Sequence, residues 1–173
     1  YGDRGGYIRT SIATELTSGV VMIFSTSEAF AALKSDGSVK VWGGSSYGGT
    51  DPGLTSDVVT IFSTMEAFAA LKSDGSVKTW GSNSNGGSDP GLTSGVVAIF
   101  STDQAFAALK SDGSVKAWGG SWYGGTDPGI TSDVVAIFST EAAFAALKVP
   151  YCVRPSPSNS IGYDFHKLLK HIY

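Results

Sequence analysis

Few side chains in this sequence have the type and spacing that catalysis or metal binding requires. The two histidines, His166 and His171, lie five residues apart near the C-terminus, and the rest of the chain contains none. On a helix such a pair diverges by about 140°, so we do not expect the two rings to share a metal ion. A Ser-His-Asp hydrolase would have to recruit the same two residues, and it is the enzyme alternative. The single cysteine, Cys152, excludes an intrachain disulfide and a cysteine-rich zinc site.

The carboxylates recur in two sequence contexts that favour turns over chemistry. One set precedes glycine in a Ser-Asp-Gly step and the other precedes Pro-Gly; the two sets are Asp36, Asp74 and Asp112, and Asp51, Asp89 and Asp127. Aspartate in such places bonds to the backbone of its own turn. The alternative is calcium bound by Asp89 with Ser88 or Asn85, although the dense acidic spacing of calcium loops is missing.

A tandem repeat organises the chain, and its period of about 38 residues is of the size that marks a propeller, a solenoid or another repeat array. Its landmarks are Ile-Phe-Ser-Thr at 23–26, 61–64, 99–102 and 137–140, and Ala-Phe-Ala-Ala-Leu-Lys at 29–34, 67–72, 105–110 and 143–148. Ser-Asp-Gly-Ser-Val-Lys follows at 35–40, 73–78 and 111–116, and Trp-Gly at 42–43, 80–81 and 118–119. Because near-identical units place the same group everywhere, the repeat argues against an active site of unlike groups. We therefore expect no catalytic residue, metal or cofactor.

One unit predicts three short strands. Residues 58–62 are β-branched and aromatic, and residues 67–71 are apolar on both faces, as in a buried strand. Asp74-Gly75 supplies a hairpin turn, and residues 76–80 form a third strand with one face half exposed. Leu92-Thr93 is a weak fourth strand. A helix over residues 65–72 is the alternative, but about eight residues make a marginal helix.

The same landmarks carry a family resemblance over residues 19–148. The pattern Gly-Val-Val-x-Ile, Ala-x-Ala-Ala-Leu-Lys, Asp-Gly-x-Val-x-x-Trp-Gly and Tyr-Gly-Gly, best seen at 95–125, resembles the repeat of the regulator-of-chromosome-condensation superfamily. Its short form is most similar to the repeat of the propeller-type β-lactamase inhibitors. The resemblance implies β-propeller blades, and inhibition of a secreted or periplasmic enzyme as the alternative function. The inserted loop that nucleotide exchange would need is absent.

We expect an all-β domain at 1–148 built from propeller-like blades, with a β-solenoid as the alternative. Complete units span about 20–57, 58–95 and 96–133, and partial ones 1–19 and 134–148. Closed propellers have about four to eight blades, so we expect an incomplete propeller or open arc, a piece of a longer protein, or an assembly of chains. Exposed edge strands favour assembly.

Residues 149–173 form a separate Pro-containing linker followed by a short amphipathic helix. Phe165, Leu168, Leu169 and Ile172 have the i, i+3, i+4, i+7 spacing of one helix face, and Asp164 can cap it. We expect this helix to cover an exposed edge of the last repeat, with docking of a partner or contact with a membrane as the alternatives.

Variation between units is confined to three places. They are residues 27–28 and their equivalents, the third-strand position of Val41, Thr79 and Ala117, and the loop after Trp-Gly. Variable loops on a rigid frame commonly bind partners, and Tyr and Trp supply large contacts. Our candidate binding residues are Tyr47, Asn83, Asn85, Trp122 and Tyr123; the alternative is that the aromatic rings only pack on the adjoining turn.

These features predict a repeat-based binding or self-assembling structural module. The partner is a protein or further copies of the chain, with carbohydrate as an alternative. The net charge of −3 lacks a basic block, so we expect no nucleic acid. The apolar runs are far shorter than the ~20 residues of a membrane helix, so we expect no membrane span.

Overall fold

A computed structural model describes residues 14–149. The predicted C-terminal helix and most of the linker before it lie outside the described residues, as do residues 1–13. The described part is all-β, which confirms the predicted class.

The strands form four small antiparallel sheets, one after another along the chain. The first three sheets are β1 (Val20–Ser25), β2 (Ala29–Lys34) and β3 (Val39–Gly43); β4 (Val58–Ser63), β5 (Ala67–Lys72) and β6 (Val77–Gly81); and β7 (Val96–Ser101), β8 (Ala105–Lys110) and β9 (Val115–Gly119). The fourth sheet pairs β10 (Val134–Ser139) with β11 (Phe144–Lys148). Three single-turn 3₁₀ helices follow the third strands: η1 (Ser45–Tyr47), η2 (Asn83–Asn85) and η3 (Ser121–Tyr123). Residues 67–72 are therefore a strand, and the helical alternative is wrong.

The Asp-Gly step closes each hairpin between the second and third strands as predicted. Asp74 accepts hydrogen bonds from the backbone N–H of Ser76 at 2.9 Å and from its hydroxyl at 2.6 Å. Gly75 has φ 76°, in the region that glycine adopts without steric cost. The register follows from this turn, since it sets Leu71 opposite Val77 and Phe68 opposite Trp80.

Two details of the predicted unit differ from the structure. The first three sheets stop at three strands, and Leu92 contributes a single ladder-like bond, from the Val77 N–H to its carbonyl at 2.9 Å. Gly91, with φ 72°, immediately precedes Leu92. The outward face of β6 is exposed at Lys78 only, since Trp80 on the same face is 8% exposed.

The core lies between consecutive sheets, where the back of one sheet packs on the front of the next. Between the first two sheets, alanines and valines of β2 and β3 contact Ile61, Phe68 and Trp80. Ala29 and Ala31 are fully buried, and such small side chains let neighbouring sheets approach closely. Complete burial of a side chain such as Phe68 contributes about 1.5–3 kcal/mol, so these junctions hold the repeats together.

Backbone hydrogen bonds also join consecutive repeats at one end. The N–H of Ser27 donates to Met65 at 2.8 Å, that of Met65 to Asp103 at 2.8 Å, and that of Asp103 to Glu141 at 2.9 Å. The turns between first and second strands therefore form one continuous ladder across all four sheets.

Candidate functional site

Two of the three variable places in the repeat meet at the same end of each sheet. In the second repeat, Thr64 sits in the turn between β4 and β5 and accepts a hydrogen bond from the Ala67 N–H at 3.0 Å. Its hydroxyl also donates to the carbonyl of Asn85 in η2 at 2.9 Å. The neighbouring repeats contain the same bond, from Thr26 to Tyr47 and from Thr102 to Tyr123, both at 2.9 Å. Each of these threonines therefore joins its own turn to the loop that follows the third strand.

We call this end of the molecule the loop rim. It comprises the turns at 25–28, 63–66, 101–104 and 139–142 and the loops at 44–48, 82–86 and 120–124. The third variable place does not belong to it. Val41, Thr79 and Ala117 are 7%, 6% and 5% exposed and lie in the core between sheets, so their variation concerns packing.

The structure separates the five candidate binding residues by exposure. Trp122 is 91% exposed, and Asn83 is also on the surface. Tyr47 and Tyr123 are partly buried, and Tyr47 packs against the core of the first junction. Asn85 is buried. Trp122 and Tyr123 are consecutive residues of η3, so the third repeat is the one whose loop carries two aromatic residues.

The buried side chain of Asn85 hydrogen-bonds within its own loop and to the neighbouring turn. Its Nδ2 donates to the carboxylate of Glu66 at 2.8 Å and to the hydroxyl of Ser82 at 3.1 Å. Its Oδ1 is buried and receives no hydrogen bond within the described part of the chain. Because the side chain is engaged with Glu66, Asn85 couples the variable turn to the variable loop instead of facing a partner.

The four turns line a shallow groove of about 560 Å³ that crosses the rim. Its walls are serine and threonine hydroxyls together with Met65, Asp103 and Glu141. The rim segments contain four carboxylates and no Lys or Arg; the acidic residues are Glu28, Glu66, Asp103 and Glu141. Met65 and Asp103 were not among the candidate binding residues, although their variation between repeats was the signal that marks them.

The aspartates of the other turns have structural partners. Asp51 and Asp89 each accept the N–H of the glycine two residues later, at 2.8 Å, as predicted. The pKa of Asp74 is lowered, first by the hydroxyl of Ser76 and then by its backbone N–H. A salt bridge to Lys116 at 2.8 Å lowers the pKa of Asp127. No three His, Cys, Asp or Glu side chains within residues 14–149 are grouped so as to hold a metal ion.

No helix in the described range is long and apolar enough to cross a membrane.

Comparison with known proteins places the chain by fold alone. No family model and no curated protein matches the sequence. Among solved structures, the ectodomain of the receptor kinase CR4 from Physcomitrella patens is similar at a TM-score of 0.54 and 15% identity, over 75% of this chain and 38% of that one. The chain thus spans well under half of that ectodomain.

Two computationally designed proteins are more distant in structure. Ika8 has a TM-score of 0.41 and 18% identity over 75% of this chain and 46% of its own, and Ika4 has 0.42 and 18% over 78% and 93%. The similarity to the ectodomain supports an all-β architecture of small antiparallel sheets.

Proposed function

We propose that this chain is a repeat-based binding module whose loop rim binds a protein surface rich in basic residues. The observation that carries the proposal is the convergence of the variable turns and loops at one end, joined by the bonds from Thr26, Thr64 and Thr102 to the loop carbonyls. Two of the three places that differ between repeats share this surface, while the third lies in the core between the sheets.

The chemistry of the rim favours this class of partner. Trp122, 91% exposed, is a large rigid side chain of the type that anchors protein interfaces. The four rim carboxylates have no Lys or Arg beside them within the rim segments, so their field attracts a cationic partner. Sugar binding, the alternative, also uses exposed aromatic rings, but it gives no role to the uncompensated negative charge.

We propose further that the four sheets are blades of an open propeller arc. The first strands β1, β4, β7 and β10 lie side by side in order, and the backbone ladder from Ser27 to Glu141 runs along the same end. This arrangement agrees with the resemblance of the repeat to propeller blades. In a β-solenoid, equivalent strands of successive repeats would hydrogen-bond into continuous sheets. Here the strands of each repeat pair with one another and form a separate sheet.

Panning a phage-displayed peptide library on the full chain tests the rim. We expect enriched peptides that carry Lys or Arg with an aromatic residue, compete with one another, and bind Trp122→Ser at least about tenfold more weakly. Their affinity should also fall with added salt, because exposed charges are screened.

Val59→Ser is the matched control, since Val59 is 59% exposed on β4 and outside the rim. It should bind the same peptides as the unaltered chain. Enrichment of peptides that ignore both Trp122→Ser and salt would contradict the proposal.

Self-association is a second candidate, favoured by the faces of the first and fourth sheets that no other residue in 14–149 covers. Ile23, on the front of the first sheet, is 54% exposed. Its equivalent in the second sheet, Ile61, is 2% exposed because the back of the first sheet packs on it. On the back of the fourth sheet, Phe138 is 61% and Leu147 43% exposed, whereas Leu109, the equivalent of Leu147, is 8% exposed. Each internal junction buries the equivalent leucine of one sheet and the equivalent isoleucine of the next in one cluster; the pairs are Leu33 with Ile61, Leu71 with Ile99, and Leu109 with Ile137. The two faces are complementary halves of one junction, so a second copy fits head to tail.

Two variants that each keep one face test this association. Ile23→Asp and Phe138→Asp should each be monomeric by sedimentation, and an equimolar mixture should form a one-to-one dimer through the two intact faces. Val97→Asp, at a position 55% exposed on β7, is the matched control and should associate like the unaltered chain. A monomeric unaltered chain at high micromolar concentration would exclude this candidate.

A further inference from the structure

An apolar cleft lies between the third and fourth sheets. Its volume is about 280 Å³, and its walls include Ala107, Ala117, Gly124, Phe144 and Ala146. The same place in the two preceding junctions shows what such a cleft holds.

A tryptophan of the third strand fills the equivalent position in those junctions. Trp80 stacks on Phe68 with ring centroids 5.2 Å apart, and its indole N–H donates to the carbonyl of Gly48 at 3.0 Å. Trp118 lies on Phe106 at 5.5 Å and donates to Gly86 at 3.1 Å. Both rings are 8% exposed, so the ring is buried and its only polar atom is paired.

The cleft has the equivalent carbonyl acceptor, of Gly124, and the equivalent aromatic ring, of Phe144, but no tryptophan of the described part of the chain lies on them. Phe144 and Gly124 stand one repeat after Phe106 and Gly86, and Phe144 contacts Gly124 as its equivalents do. The position one repeat after Trp118 is Ser156 in the sequence. The Gly124 carbonyl receives no hydrogen bond from any residue in 14–149. Phe144 is partly exposed, whereas Phe68 and Phe106 are fully buried.

The strand next to the cleft also has a free edge within the described residues. β11 pairs with β10 alone, whereas β5 and β8 each pair on both sides. An edge of this kind is a template for another strand, with main-chain bonds for affinity and side-chain pockets for specificity. The third sheet sets the register, because Phe106 lies opposite Trp118 and Leu109 opposite Val115.

We propose that the cleft and the β11 edge form a docking site for a tryptophan-bearing β-strand of another polypeptide. The strand lies antiparallel to β11, with its tryptophan opposite Phe144 and an apolar residue three positions earlier opposite Leu147. The indole enters the cleft and donates its N–H to the carbonyl of Gly124. Specificity comes from this bond, since a side chain without the indole N–H leaves the Gly124 carbonyl unpaired when the strand covers it.

A nine-residue peptide with the sequence of residues 111–119 is the probe, titrated into the full chain by calorimetry. We expect saturable one-to-one binding. Peptides with alanine or 1-methyltryptophan in place of the tryptophan should bind at least about tenfold more weakly, because the first loses the ring and the second loses the donor.

Variants of the chain locate the site. Ala146→Phe fills the cleft from β11 and should abolish binding, while Ala142→Phe, the same change at an exposed turn position outside the cleft, should not. Trp122→Ser should leave binding of this peptide intact, so a negative result for the cleft can be distinguished from a negative result for the loop rim. Hydrogen exchange should show that the β11 amides on its free edge, which do not bond to β10, become protected only when the peptide is added.

Three results would overturn the proposal. The first is no saturable binding, and the second is equal affinity for the tryptophan and alanine peptides. The third is protection of the free-edge amides of β11 without peptide, which would mean that residues 150–173 or a second copy already cover the edge.

Discussion

Trp118 hydrogen-bonds to Gly86, a residue of the preceding repeat, at 3.1 Å. The same bond joins Trp80 to Gly48. In each case the donor and acceptor are far apart in sequence and belong to different repeats, so the bond forms only when two repeats pack together.

Replacing Trp118 by Phe should lower the free energy of unfolding by about 1–3 kcal/mol beyond the loss in packing, because the buried carbonyl of Gly86 loses its donor. Trp42→Phe is the matched control, since Trp42 stacks on Phe30 at 5.3 Å but its indole has no hydrogen bond to a described residue. Urea unfolding should show a smaller loss for Trp42→Phe. Equal losses would mean that the indole bond contributes nothing measurable.

Gly86→Ala should destabilise the protein by about 2–4 kcal/mol through overpacking and backbone strain together. A Cβ at Gly86 would lie 2.6 Å from the ring of Phe106, and the residue has φ 96°. Gly91→Ala separates the two effects, because Gly91 has φ 72° and no atom within 4 Å of an added Cβ. It should cost about 1–2 kcal/mol, from the left-handed conformation alone. Similar costs for both variants in urea unfolding would contradict the close contact.

Ser114→Ala should raise the pKa of Asp112 toward its usual 3.8, because the hydroxyl of Ser114 is the main cause of the lowered value. A carboxyl with a lowered pKa in the folded state stabilises it above the unfolded pKa, and the stabilisation is lost as pH falls through the folded pKa. The variant should therefore lose less stability than the unaltered chain below about pH 3.8. NMR titration of the side-chain carboxyl carbon measures the shift. Ser111→Ala leaves the bonds to Asp112 in place and should not change it.

Trp122→Ser should change the free energy of unfolding by less than about 0.5 kcal/mol, as is usual for an exposed side chain. The ring is 91% exposed, so its removal uncovers little buried surface. A loss above about 1 kcal/mol in urea unfolding would instead support the alternative in which the ring packs on the adjoining turn.

Inhibition of a secreted or periplasmic enzyme, which the repeat resemblance implies, stays a prediction. So do the absence of catalytic activity and the tail helix.

The sequence by itself determined the local structure of each repeat. The strands, the Asp-Gly hairpin of Asp74 and the side-chain bond of Asp89 within its own turn all depend on interactions between residues a few positions apart. Such interactions are the same in every copy of the unit, so reading one unit predicts them all. The weak strand at Leu92 fails because one hydrogen bond does not make a ladder.

The tertiary structure decided which residues of one repeat contact which residues of the next. A fixed repeat period does not say which side chain of one unit lies against which of the next, so the pairing of Trp80 with Gly48 was not predictable. For the same reason only the packed structure shows that Thr79 and Asn85 are buried and that the variable turns and loops share one rim. Contacts between units depend on the angle and distance between sheets, which side-chain volumes across the junction set together.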